Sequence, residues 1–378
     1  MSEFGQAVRH FWTLDWSATH LNHGSYGATP KPVLAAQDVV RQDMERTIGD
    51  FFSRQLPKRM RSAAAELAEY LGAERDDVVF VDNATAGAQA VLGSIELKPG
   101  DEILINDQTY NAVKNIARHE AGRAGARVVE VKLPFPVEDD GTSIVDALTA
   151  GLTDRTRLVI LNHITSATAI IMPVKPLVQA CHAVGALVLI DGAHAPGQVA
   201  LHLMDLGCDF YTGNCHKWLS APKGAAFLWA QREHQVWLHP SVVSHGLGQG
   251  FIAEFDWTGT RDPSSYLAVP AALSFRQTFG DSRIKARNRA LADEAGNYLA
   301  ETWKTRLGAP PALAGSMRMI KLPLASGIAP DVRLKLWQEH RIDVPVNALD
   351  GGLWVRVSAQ LYNEMDDYRR LAEAVKRL

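Results

Sequence analysis

Two short segments carry side chains that together can do carbanion chemistry. Asp191-Gly192-Ala193-His194 follows the apolar run Leu187-Val188-Leu189-Ile190, and Thr212-Gly213-Asn214-Cys215-His216-Lys217-Trp218 follows Asp209-Phe210-Tyr211. A carboxylate thus ends one strand-like run, and a lysine sits in a polar, glycine-containing turn after the next. A lysine so placed can form a Schiff base with a carbonyl, and an aspartate can keep a pyridine nitrogen protonated. Those are the two requirements of a pyridoxal-phosphate site. Taken singly each signal is weak, since an Asp after a strand usually serves a turn or a cap. Lys217, however, lies between His216 and Trp218, in a segment too short and too apolar at its flanks to read as a surface helix.

Those turns need strands to end on and helices to pack between them. Val78–Val81, Glu102–Asn106, Ala126–Val131, Leu158–Leu161 and Leu187–Ile190 read as strands. Helical patterns cover Ala63–Leu71, Ala84–Ile95, Ala112–Ala124 and Val174–Val184. Runs that are apolar throughout, rather than alternating, predict strands buried on both faces. Strand and helix alternate with short connections, which predicts an α/β fold with a mostly parallel sheet. Ligands in such folds sit at the carboxyl ends of the strands. After about Ser264 the texture changes to a long helical region, Tyr266–Trp303, strand-like Met317–Leu322, a helix over Val332–His340, strand-like Leu353–Val357 and a closing helix over Glu364–Leu378. The expected division is a large cofactor-binding domain over 17–264 and a smaller α+β domain over 265–378. Residues 1–16 are expected to pack with the smaller one.

The composition narrows the function classes. The chain has 378 residues, 47% of them hydrophobic, and a net charge of −3, so a large core is available and no basic excess marks a nucleic-acid binder. The basic cluster Arg54, Lys58, Arg59 and Arg61 reads as a solvated helix face. Cys181, Cys208 and Cys215 are odd in number and match neither a disulfide framework nor a zinc spacing, which predicts reduced thiols in a cytoplasmic protein. The first residues lack a signal-peptide pattern, and no apolar stretch approaches the ~18 residues of a membrane span. Asn83–Gly87 lacks the Gly-x-Gly-x-x-Gly spacing of a nicotinamide site. The 13 histidines are dispersed and form no metal motif.

Over nearly its whole length the chain resembles the class V aminotransferase superfamily, which includes cysteine desulfurases and isopenicillin N epimerase. Asp191-Gly192-Ala193-His194 matches the family's Asp-Gly-Ala-(His/Gln), and His216-Lys217 its His-Lys. Leu21-Asn22-His23-Gly24-Ser25-Tyr26-Gly27 resembles the N-terminal motif of the isopenicillin N epimerase-like branch. The resemblance implies a fold type I pyridoxal-phosphate enzyme with a seven-stranded type of sheet flanked by helices. It implies Lys217 as the cofactor lysine, Asp191 as partner of the pyridine nitrogen and His194 as a hydrogen-bond partner of the phenolic oxygen. Ala84 and Thr85, at a helix N-terminus after a strand, would bind phosphate, with Asn214 and His216 as further contacts. Tyr110 would lie over the ring and is a candidate proton carrier. Ser166 matches a position that is Asn in several members. Arg356, in Trp354-Val355-Arg356-Val357-Ser358, matches the arginine that clamps the substrate carboxylate, with Asn22 and Gly24 as candidates to complete that pocket. Thr258 and Thr260 match a segment that reaches across a homodimer to the neighbouring phosphate.

All these roles serve one opening event, removal of a proton from the α carbon of an amino acid. Reprotonation from the other face gives racemisation or epimerisation, loss of a Cβ substituent gives a C–S lyase, and proton return to the cofactor gives transamination. A desulfurase would need a nucleophilic thiol on a mobile loop, and no cysteine falls in residues 216–378. An epimerase or racemase is therefore expected first and a cysteine or cysteine-sulfoxide β-lyase second, with a cofactor-binding protein without turnover as a distant alternative.

Overall fold

The computed structural model describes residues 4–324 and 327–378. A short strand β1 (Thr19–His20) precedes the main sheet, which is built from β2 (Val78–Val81), β3 (Glu102–Asn106), β4 (Arg127–Val131), β5 (Thr156–Asn162), β6 (Leu187–Asp191), β7 (Phe210–Asn214) and β8 (Ala226–Ala230). Their order is β2-β8-β7-β6-β5-β3-β4. Strand β8 runs antiparallel to both its neighbours, and the remaining pairings are parallel. Every residue of β2, β3, β7 and β8 is buried, as expected for strands covered by helices on both faces.

Because β2, β3, β5, β6 and β7 point the same way, their carboxyl ends share one edge of the sheet. The turns that leave this edge hold Asn83–Thr85, Asp107–Tyr110, His163–Ser166, Gly192–His194 and Cys215–Lys217. One helix packs unusually close there. A Cβ built on Gly87, in helix Ala84–Ser94, would stand 2.2 Å from Thr212 Oγ1 on β7. That contact sets the helix N-terminus beside the turn that carries Lys217.

A second layer is built from the rest of the chain. Strands β9 (Met317–Lys321), β10 (Ile342–Asp343), β11 (Val346–Leu349) and β12 (Gly352–Ser358) come next, and β11-β12-β9 form an antiparallel sheet. Helices Asp281–Trp303, Ala329–His340 and Met365–Val375 bury their apolar faces in the cluster around β9 and β12. Strand β1 pairs with β10, so the chain just before the Asn22–Gly27 motif is fastened to this layer. The helical region read as continuous over 266–303 breaks at Gly280, where φ is +80°, and its first half, Val269–Phe279, packs into the large core instead. At the N-terminus, Gly5 N–H donates to the Leu361 carbonyl (2.8 Å) and Arg9 to the Tyr362 carbonyl (3.1 Å). Met1–Glu3 of that segment lie outside the described residues. Among the described residues no helix is long and apolar enough to cross a membrane.

Replacing Gly87 by Ala should destabilise the protein by about 1–3 kcal/mol, because Thr212 is buried, β-branched and without room to retreat. Urea denaturation measures this; an unchanged midpoint would show that the helix can back away from β7.

Candidate active site

The turns at the carboxyl edge enclose a cavity of about 360 Å³. Its wall includes Lys217, Asp191, His194, Asn214, His216, Ala84, Thr85, Tyr110 and Ser166, so nine of the expected site residues are brought together.

The centre is a pair of nitrogens. Lys217 Nζ lies 3.2 Å from His194 Nε2, and Trp218 Nε1 lies 3.4 Å from His194 Nδ1. An indole N–H only donates, so Nδ1 accepts and the single proton of a neutral imidazole sits on Nε2. Burial, reinforced by the charges of Lys217 and Arg356, holds His194 well below its ordinary pKa and therefore neutral. The Nε2–H then points at Lys217, which must accept, and accepting requires a neutral amine. The lysine meets that demand above about pH 8: burial first, then the nearby Arg356 charge, push its pKa down to about 8, against the opposing pull of Asp191. Asp191 is itself pushed up by burial, while one oxygen accepts the Ala193 N–H (3.0 Å).

At the other end of the cavity, helix Ala84–Ser94 presents its N-terminus. Asn83 caps it by accepting the Ala86 N–H (2.9 Å), and Ala84 N–H donates to Asn214 Oδ1 (2.9 Å). Ala84 therefore has its donor already engaged. Thr85 has its N–H and hydroxyl without a partner among the described residues, which makes it the donor left for an anion. His216 donates from Nδ1 to the Ala225 carbonyl (3.1 Å) and is kept neutral by burial, its pKa pushed down to about 4. A phosphate beside it would favour the charged form.

Arg356 stands just behind the wall. Its guanidinium donates to the Ser166 carbonyl and to Ser25 Oγ (3.1 Å), both from residues that line the cavity. Its Nε is buried without a partner, and so is Asn162 Oδ1. Asn162 is the register partner of Asp191. Orphaned polar groups of this kind cost ~1–3 kcal/mol each and fit a polar occupant. Pyridoxal phosphate suits the whole set: Lys217 for its aldehyde, Asp191 for its ring nitrogen, Thr85 and the helix end for its phosphate.

Besides Arg356, four expected residues are not brought into the cavity wall. Asn22 donates to Asp343 Oδ1 (3.1 Å) and accepts from Ser25 Oγ, while Gly24 N–H donates to Ser358 Oγ (3.3 Å). They support Ser25 from behind. Thr258 lines a separate crevice with Asp82 and Arg261, and Thr260 is exposed. Conversely, Ser25, Tyr26, Asn83, Asn162, Ile164 and Ala193 line the cavity although the sequence assigned them no site role. Ser25 and Tyr26 belong to the same N-terminal motif as Asn22, which was the signal available for them.

The profile of the family Aminotransferase class-V matches residues 29–370. The chain is 36% identical over 400 residues to "Putative L-cysteine desulfhydrase 1" of Oryza sativa subsp. japonica, covering 95% of this chain and 82% of that one. It is 35% identical over 390 residues to isopenicillin N epimerase of Amycolatopsis lactamdurans, covering 97% and 96%. A solved structure of a C-DES mutant, with glycine covalently linked to its PLP cofactor, superposes with a TM-score of 0.80 at 21% identity, covering 97% of this chain and 98% of that one. That likeness extends to the fold.

The depressed lysine carries a sign that can be checked. A neutral amine is the nucleophile, so in cofactor-free protein the reactivity of Lys217 toward reductive methylation should rise with pH around about 8 rather than near 10.5. Arg356→Gln should move that midpoint upward by removing a positive neighbour, and Asp191→Asn should move it downward. Mass-spectrometric quantification at Lys217 measures both.

Proposed function

This chain belongs to the aminotransferase class-V family and uses pyridoxal phosphate, and from that premise we propose that it acts at the α carbon of an amino acid, with Lys217 as the group that takes the α proton. When bound, the cofactor supplies an aldehyde that links to amines and a ring that draws electrons from the α carbon. The chain's own residues do the rest. Asp191 holds the ring nitrogen protonated. Thr85, Asn214 and His216 hold the phosphate. Arg356 takes the substrate carboxylate in place of its present bonds to Ser166 and Ser25. His194 fixes the direction of the Lys217 amine. The observation that carries this reading is the 3.2 Å contact between a neutral His194 and a buried Lys217 of lowered pKa.

The first reading of the outcome is epimerisation or racemisation, which needs a second proton carrier facing Lys217. Tyr110 supports it. Lys217 follows β7 and Tyr110 follows β3, with β6 and β5 between them in the sheet. At ~4.8 Å per strand the two residues rise from opposite walls. Tyr110 is 49% exposed, so its hydroxyl is open to exchange with solvent. The second reading is a C–S β-lyase, favoured by the similarity to L-cysteine desulfhydrases. In that case the same tyrosine would protonate the departing sulfur. A persulfide route through a protein thiol is disfavoured: none of the three cysteines lines the cavity, and burial pushes Cys215 up and Cys181 up to about 12.

The working unit in this reading is a cytoplasmic homodimer in which Thr258 and Thr260 reach the neighbouring phosphate. Exposed Val242, Val243 and Leu247, close in sequence to that segment, support a buried contact there. The expected division at 264/265 moves to Gly280 in this reading, because Val269–Phe279 packs into the large core, and Gly5 and Arg9 tie the N-terminal segment to Leu361 and Tyr362.

Borohydride treatment of the holoenzyme should fix the cofactor to Lys217 and nowhere else, and Lys217→Ala should lose both the visible band and the label. Label on another lysine would sink the assignment. A panel of L-amino acids in deuterated water then separates the outcomes. α-Deuterium with D-isomer supports epimerisation; pyruvate with sulfide or another sulfur product supports the lyase. Tyr110→Phe should lower kcat at least about tenfold while leaving cofactor affinity within about twofold. Sedimentation velocity tests the dimer: Val242→Asp/Val243→Asp should give monomer, and an unchanged dimer would remove this face from the interface.

A further inference from the structure

His23 takes no part in the proposed chemistry, yet it touches the backbone of the cofactor lysine. It is buried, and burial pushes its pKa down to about 3, so its imidazole is neutral and carries one proton. Nε2 lies 3.0 Å from the Lys217 carbonyl oxygen and 2.9 Å from Gln360 Nε2, and Nδ1 lies 2.9 Å from the Tyr362 hydroxyl. The Gln360 amide is oriented by its oxygen, which accepts from Asn288 Nδ2 (3.0 Å) and from the Leu361 N–H (2.9 Å). Two tautomers are therefore in competition. With the proton on Nε2, His23 donates to the Lys217 carbonyl and accepts from Tyr362. With the proton on Nδ1, it donates to Tyr362 and accepts from Gln360, and the Lys217 carbonyl keeps only the Ser220 N–H (3.2 Å). The Tyr362 hydroxyl turns to suit either, so the choice lies between two groups of fixed role at Nε2, the Lys217 carbonyl as acceptor and the Gln360 amide nitrogen as donor.

The rest of the segment presses on the same lysine. Gly27 has φ of +72°, and a Cβ there would stand 2.0 Å from the His216 carbonyl oxygen and 2.9 Å from Lys217 Cα. Two residues earlier, Ser25 accepts from Arg356. Residues 22–27 thus lie between the lysine backbone on one side and the arginine on the other.

We propose that His23 is a positioning residue for Lys217: through its Nε2–H to the lysine carbonyl it fixes the backbone from which the amine projects, and it ties that backbone to the wall that carries Arg356. The proposal rests on the reading of Lys217 as the cofactor lysine. If the carbonyl loses this donor, the Lys217 backbone is freer to move, the Nζ–His194 contact loosens, and the properties of the lysine–cofactor link change.

Two substitutions separate this from a purely structural role. In His23→Gln the amide nitrogen reaches the place of Nε2 and keeps a donor for the Lys217 carbonyl. In His23→Asn the amide reaches only the place of Nδ1. Both lose packing, so both should lower the melting temperature. The pH midpoint of the visible band of the holoenzyme should move by about half a unit or more in His23→Asn and stay within about 0.2 unit in His23→Gln. In turnover, kcat should fall at least about fivefold in His23→Asn with KM within about twofold, and His23→Gln should recover most of it. Equal midpoints in both variants and wild type, with only the melting temperature lowered, would overturn the proposal. Should His23→Asn not fold, His23→Met reads the same point: it fills similar space and brings no donor to the Lys217 carbonyl, and the midpoint should move as for His23→Asn. An unmoved midpoint there would overturn it as well. Borohydride labelling of wild type at a lysine other than Lys217 would instead sink the reading beneath it.

Discussion

The contact between His194 and Lys217 forces a sequence of choices on the surrounding structure. Both nitrogens are buried, and Arg356 stands close enough to lower the pKa of each. Three positive charges in one desolvated wall would repel one another with little water to screen them. Above about pH 8 the wall resolves this by keeping one charge: the guanidinium remains protonated even though burial and Arg333 lower it to about 10. The imidazole is neutral, and the amine approaches neutrality near pH 8. An amine that must attack an aldehyde and later take a proton is best held there. The same electrostatics explains why Asp191 belongs on the adjacent strand. Its negative charge opposes the depression of Lys217 and stops it from going further.

Such a balance depends on positions being held to within tenths of an ångström, and the scaffold supplies that by covering the site's strands on both faces. Helix Ala84–Ser94 lies against Thr212 with no room for a methyl group between them. Asn214, on the same strand, accepts from the first N–H of that helix. The phosphate end and the lysine end of the cavity are therefore parts of one rigid piece. Arg356 is different. It arrives on β12, from the second sheet, and meets the first layer through serines alone. In the proposed reading a substrate carboxylate would replace hydroxyl and carbonyl contacts and bring the counter-charge that the buried guanidinium lacks among the described residues.

The strands that end at the site were legible because each is a short apolar run with a polar turn after it, and Asp191 and Lys217 sit close to where such a run releases the chain. The features that were not legible share a physical cause. Helix Lys31–Arg46 has a mixed surface with only Val33, Gln37 and Val40 buried, so its pattern is faint. The break at Gly280 divides two helices that both keep helical periodicity, and only packing shows that Val269–Phe279 belongs to the large core. The placement of Asn22 and Gly24 behind the cavity depends on β1 pairing with β10, a contact between residues over 300 positions apart. Motif matching names such residues but does not say which of them face inward. Ser25 and Tyr26 do, while Asn22, His23 and Gly24 turn toward the second sheet.

The division of labour along the sheet edge bears on why relatives of this chain carry different reactions in their names. In the proposed reading proton removal belongs to the ends of β6 and β7, where Lys217 and His194 are in direct contact and share their burial with Asp191. In the same reading the fate of the carbanion falls to the turns after β3 and β5, which supply Tyr110, Ile164 and Ser166 to the cavity. The turn after β5 is held to that wall by His163, whose N–H donates to the Asp191 carbonyl (2.9 Å) and whose Nδ1 lies 2.9 Å from the Tyr211 hydroxyl, while Ser166 accepts from Arg356. Among the described residues the side chains of Tyr110 and Ile164 make no hydrogen bond to that wall, so in that reading a change at either would redirect the carbanion rather than prevent its formation. A parallel sheet permits this because each functional turn leaves a separate strand, and neighbouring strands hold one another in register whatever their turns contain. In that reading the chemistry shared with the family is carried by the wall of β6 and β7, and the chemistry particular to this protein by the turns that face it.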